Sequence, residues 1–158
     1  MTDYNILEDD AIIYYVYNLN WLLPEEVQEE SIRVLSEISP DKVDLLIPKY
    51  GKECWANGVY ILNKIGYPKN KKALTKLAQL LQDRNWPGAL ETIELFRGLG
   101  KEISTPYIEI ECEKALQCND ADWLEHLYFA CDSLNLTQEN FCNKDIYIKM
   151  KQLADELD

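Results

Sequence analysis

A chain of 158 residues is long enough for one well-buried core and too short for two ordinary domains. With 47% hydrophobic residues it is not a disordered polymer, and no uncharged apolar run is long enough to span a bilayer. A net charge of -12 opposes direct nucleic-acid binding, which needs clustered Lys and Arg, and favours basic partners; plain solubility is the competing explanation.

The chain opens with acid where a secretory signal needs basic residues, so a cytoplasmic protein is expected. Residues 3–23 are apolar and Tyr-rich (Ile12, Ile13, Tyr14, Tyr15, Val16, Tyr17, Leu19, Trp21, Leu22). They predict a helix ending near Asn18 to Asn20, with the tyrosines as core and cap. Pro24 with Glu25 and Glu26 starts the next helix, which runs to about Ile38 with Val27, Ile32, Leu35 and Ile38 inward. Ser39-Pro40-Asp41 breaks it before a short helix over Val43 to Ile47, and Pro48 to Gly51 is a turn. A helix over Lys52 to Ile65 follows, with Gly58 as a weak or a close-packing point.

Asn70 is the expected cap of a helix over Lys71 to Gln82, where Leu74, Leu77, Ala78 and Leu81 share one face. Lys64, Lys69, Lys71, Lys72 and Lys76 around this turn read as a solvated basic loop. Further helices are expected over Trp86–Leu99, Thr105–Leu116, Ala121–Leu134 and Gln138–Leu157. Four segments share a helix-ending pattern: Val34–Ser39, Ile61–Gly66, Leu95–Gly100 and Ala130–Asn135. Gly and Asn suit the left-handed residue after a last helical turn, and the spacing fits stacked helical hairpins. The reading is all-α: a single repeat domain over residues 1–158, with a HEAT-like α-α superhelix of about four hairpins over 24–158 and a capping helix in 1–23.

Chemistry is sparse. The five cysteines (Cys54, Cys112, Cys118, Cys131, Cys142) include no close Cys-x-x-Cys pair and read as buried free thiols. The lone histidine, His126, has no metal motif around it, and no phosphate loop or nucleophile elbow occurs. No catalytic, cofactor or metal residues are assigned, and no enzyme activity is expected.

The segment LLQDRNWPGA (Leu80 to Ala89) joins two helices almost without a linker. Asp83 or Asn85 can cap the following helix, Pro87 suits its first turn, Trp86 can act as an apolar wedge, and Gly88 and Ala89 permit close helix contact. Together with Ile47-Pro48-Lys49 and with Asp120-Ala121-Asp122-Trp123, this Asn-Trp-Pro corner resembles an uncharacterised bacterial family of small HEAT-like proteins. The resemblance covers roughly residues 41–136, with Asp83, Asn85, Trp86, Pro87 and Trp123 as its structural positions.

Proteins that look like this are often encoded beside polymorphic or contact-dependent toxins. The resemblance therefore implies an immunity protein that blocks a cognate, basic toxin domain, possible targets including a nuclease. Its acids would imitate phosphate while aromatic anchors fill the toxin's cleft. Glu109, Glu111, Glu113, Asp120 and Asp122 are the candidate acids, with Glu109 and Glu113 on one helix face; an ordinary solvated face is the competing reading. A protein-binding scaffold without a toxin is the alternative function. A repeat-built enzyme acting on nucleic acid would need a cationic groove, which the charge opposes. The apolar N-terminal segment could cap the array or pair with a second copy, which leaves oligomeric state open.

Overall fold

Left-handed residues end three of the four helices that carry the shared pattern. Gly66 (φ 80°), Gly100 (φ 90°) and Asn135 (φ 59°) stand just past them, and Asn119 (φ 53°) ends a further helix in the same way. The exception is Ser39, whose φ is -59° and whose side chain accepts from the Asp41 N–H. It starts the next turn of helix instead of closing the last one.

The computed structural model describes residues 3–157. Among them are eight α-helices and no strand: α1 Asp9–Tyr17, α2 Glu25–Leu35, α3 Trp55–Ile65, α4 Leu74–Gln79, α5 Ala89–Leu99, α6 Lys101–Gln117, α7 Ala121–Ser133 and α8 Lys144–Asp155. Short 3-10 turns, the longest over Pro40–Leu46, precede α1 and lie between some of the other helices. No described helix is long and apolar enough to cross a membrane. The all-α class expected from the periodicity is what the chain adopts.

Several boundaries differ from expectation for local reasons. The helix expected from Trp86 begins at Ala89, because Gly88 takes a left-handed φ of 86° and keeps Pro87 in the turn. The helix expected from Thr105 begins at Lys101 and carries Pro106 inside it. The carbonyl that Pro106 leaves unserved costs one bond, while the hydroxyls of Ser104 and Thr105 donate to the Phe96 and Lys101 carbonyls. Asn70 does not cap. It is buried, and its amide donates to the Leu62 carbonyl at 2.9 Å.

The chain packs as two compact units, Met1–Leu77 with Trp86–Glu91, and Ala78–Asn85 with Thr92–Asp158. In the first, α1 and α3 pack on the Pro40–Leu46 turn and on α2, around Ile12, Val16, Leu35, Leu46, Val59 and Leu62. Gly58 is the close-packing point: a Cβ there would lie 2.4 Å from the Leu46 carbonyl oxygen. Lys72 and Lys76 are not a free basic loop, since their ammonium groups donate to the Asp41 and Asp44 carbonyls at 2.7 and 2.8 Å.

In the second unit α6, α7 and α8 pack against one another over Ile108, Cys112, Leu124, Leu127, Cys131 and Met150. The Cys112 sulfur lies 3.4 Å from that of Met150. Hydrogen bonding of its protonated thiol to Cys131, with burial, pushes Cys112 well above the usual thiol range. All five cysteines are free, but only Cys54, Cys112 and Cys131 are buried. Cys118 and Cys142 are exposed, against the expectation that all were core.

Candidate functional site

The acids singled out in α6 and α7 are mostly engaged inside their own unit. The Glu109 carboxylate accepts from the backbone N–H groups of Cys142 (2.7 Å) and Asn143 (3.0 Å), just before α8 begins. Negative charge there faces the positive end of the helix, so Glu109 works as an external cap. Glu111 is only 2% exposed, and its carboxylate lies 3.0 Å from the Lys114 ammonium. Asp120 caps α7, accepting from the Trp123 N–H at 3.1 Å. Glu113 and Asp122 alone remain exposed, with Asp122 in the first turn of α7. Burial, pairing and capping thus engage three of the five within their own unit and leave Glu113 and Asp122 open to solvent.

The Asp83–Pro87 corner is also structural in detail. The Asp83 carboxylate accepts from the Asn85 N–H at 2.8 Å, closing the turn instead of capping α5. The Arg84 N–H donates to His126 Nδ1 at 3.2 Å, and the Arg84 guanidinium donates to Glu125 at 2.8 Å while lying over the Phe129 ring at 4.5 Å. Accepting at Nδ1 leaves the His126 proton on Nε2, which stands 3.7 Å from the Asp83 carboxylate. Trp86 meets Trp55 edge-on at a centroid distance of 5.7 Å, and the Lys52 ammonium lies 4.8 Å from the Trp86 ring centre. Gly88 lets this corner approach α3, since a Cβ would lie 3.1 Å from Val59 and 3.3 Å from the Trp55 backbone. The buried indole N–H of Trp123 has no hydrogen-bond partner among the described residues.

The N-terminal segment differs from its expected role as core and cap. Ile12, Val16 and Leu19 point inward, but Tyr14 (64% exposed), Tyr17, Trp21 (49%) and Leu22 (75%) face solvent. Tyr17 and Trp21 are held beside the turn preceding α3. The Cys54 thiol donates to the Tyr17 carbonyl at 3.8 Å, the Tyr17 ring packs on Gly51, and the Trp21 N–H donates to the Glu53 carbonyl at 3.3 Å. Gln28 of α2 donates to the carbonyls of Trp21 and Leu23, and Asn57 of α3 donates to that of Leu19. Hydrogen-bond partners on both sides thus fix the backbone that carries a ridge of exposed rings.

No protein-family model, curated protein or solved structure matches this chain.

The charge around the ridge is one-sided. Residues 1–30 include Asp3, Glu8, Asp9, Asp10, Glu25, Glu26, Glu29 and Glu30, with no Lys or Arg. Asp9 pairs with Lys42, and Glu30 lies 3.9 Å from Arg33. Asp10, Glu25, Glu26 and Glu29 have no basic side chain within 4 Å among the described residues. The hydrogen bond to Asp9 raises the Lys42 pKa, so that cation is already committed. Exposed rings and unpaired carboxylates adjoining one another were missed in the sequence because the Tyr-rich run was weighed as buried surface. The signal available was the charge of the first thirty residues.

Proposed function

We propose that the protein is a cytoplasmic immunity protein, which binds a basic toxin domain and blocks it through an acidic surface. The reading is supported by carboxylate left without a cationic partner on exposed helices, above all in residues 1–30. Desolvating such charge is costly unless a cation meets it, so a basic protein surface is the complementary ligand. The same field raises the rate of encounter with a cationic partner and weakens in salt. Blocking needs no chemistry from the immunity protein itself: occupying the cleft suffices. The stacked, HEAT-like hairpin arrangement belongs to this reading, as a way of presenting a broad surface.

Coexpression with the product of the adjacent upstream gene tests it. The expected result is a partner that stops growth alone, is harmless together with this protein, and copurifies with it in a salt-sensitive complex. Copurification with a partner that is harmless alone would replace immunity with a plain scaffold.

A further inference from the structure

We infer that the ridge formed by Tyr14, Tyr17, Trp21 and Leu22 is a docking surface for an arginine- and lysine-rich segment of a protein partner, with Asp10 and Glu25 beside it as counter-charges. The inference rests on the proposal that this protein binds a basic partner, and it moves the contact from the acids of α6 and α7 to the first helix and the corner after it.

Three observations carry it. Asp10, Ile13, Tyr14 and Tyr17 recur at helical spacing on the outward side of α1, while Ile12 and Val16 are buried. Acid and ring therefore stand on one face. Glu25 shares a side of α2 with Gln28 (i, i+3), and Gln28 reaches the Trp21 carbonyl, so a second unpaired carboxylate borders the ridge.

Second, the same unit already uses its rings as cation seats. The Lys52 ammonium lies over Trp86 and the Lys49 ammonium is 5.5 Å from the Tyr50 ring centre. No cation lies over Tyr14, Tyr17 or Trp21 among the described residues. Exposed rings of this kind attract cations through their π-faces, and Arg, being weakly hydrated and planar, suits them better than Lys.

Third, the ridge is preorganised. Main-chain hydrogen bonds on both sides of Trp21 fix the backbone that carries its ring, and Tyr17 packs on Gly51, which lowers the ordering cost of binding. Trp and Tyr in such positions are the side chains that dominate protein interfaces.

The test uses the full chain and two probes, an octa-arginine peptide and the coexpressed upstream gene product. Amide chemical-shift mapping with octa-arginine is expected to place the peptide on α1, the 17–25 corner and the turn before α3. Octa-lysine is expected to bind more weakly and octa-glutamate not at all. Tyr14→Arg and Leu22→Arg, at largely exposed positions, should weaken octa-arginine binding at least tenfold and abolish growth rescue, with unchanged circular dichroism. Trp21→Ala with Tyr17→Ala should do the same. A peptide map confined to α6 and α7 would overturn the ridge, as would full rescue by the Arg variants. So would a wild-type dimer in sedimentation that those variants convert to monomer, because a second copy would then be the occupant. If wild type itself fails to rescue growth, the immunity reading fails, and the peptide map alone decides the ridge.

Discussion

Glu109 and Glu111 of α6 and Asp120 before α7 are turned toward the protein's own backbone and lysine, whereas Asp10, Glu25, Glu26 and Glu29 have no basic side chain within 4 Å among the described residues and stand near exposed aromatic rings. Glu109 and Asp120 satisfy helix N-termini, and Glu111 is buried against Lys114. The side chains of Tyr14, Trp21 and Leu22 are by contrast half or more exposed. The difference teaches how to read acidic sequence: a carboxylate at an N-cap position, such as Asp120, is already in use, and exposure of a ring says more about partners than the density of acid. The backbone that carries Tyr17 and Trp21 is also held by hydrogen bonds to the turn before α3 and to α2.

The widest gap should open in binding. Trp21→Ala is expected to cost about 2–4 kcal/mol of affinity for the coexpressed partner, the range of a central interface anchor. Titration calorimetry on the purified complex measures it. An affinity within twofold of wild type would place the contact elsewhere and erase the contrast between the two regions.

The reverse pattern is expected for the engaged acids. Glu109→Ala removes two hydrogen bonds and the charge at the start of α8, costing about 1–2 kcal/mol of stability. Asp120→Ala removes the cap of α7 and costs about 1 kcal/mol. Urea unfolding should show both losses, while affinity for the partner stays unchanged. A variant that kept its stability and lost affinity would return the docking face to α6 and α7. Glu113→Gln and Asp122→Asn sharpen the point from the other side: both are exposed, and stability should move by no more than about 0.5 kcal/mol.

Why one region was legible and the other was not follows from particular residues. Helix spacing and the Gly66, Gly100 and Asn135 stops were readable because a left-handed residue is a local demand that Gly and Asn meet. Asp120 was visible as part of an acidic helix start, but its use as a cap competes with any role at an interface, and sequence does not say which wins. Glu109 reaches chain 33 residues away, a contact with no local signature. The same holds for the Arg84–His126 bond, which joins a noted corner to a noted histidine across 42 residues. Gly88 packs closely on α3 and Trp86 meets Trp55, while Gly88's backbone moves the start of α5 to Ala89. In the N-terminal run, Ile12 and Val16 alternate with Ile13, Tyr14 and Tyr17, and hydrophobicity alone does not separate the two faces of such a helix. The burial of Ile12 and Val16 does.

The smallest expected effect lies beneath the ridge, at Cys54. Burial, and after it the negative charge of Glu53, push this thiol up to about 11, while its sulfur donates to the Tyr17 carbonyl. Because the folded value exceeds the usual thiol value of 9.0, the native state holds the proton more tightly than the unfolded chain. The stability this contributes is whole below about pH 9 and fades as the pH rises toward 11. At pH 8 a maleimide should therefore modify Cys118 and Cys142 at once and Cys54 slowly. Tyr17→Ala should speed the reaction of Cys54 by uncovering it, and the bound partner should slow it further. Cys131, buried in the other unit, serves as the internal control: a partner seated on the ridge leaves its rate unchanged, and a partner seated on α6 and α7 reverses the two responses.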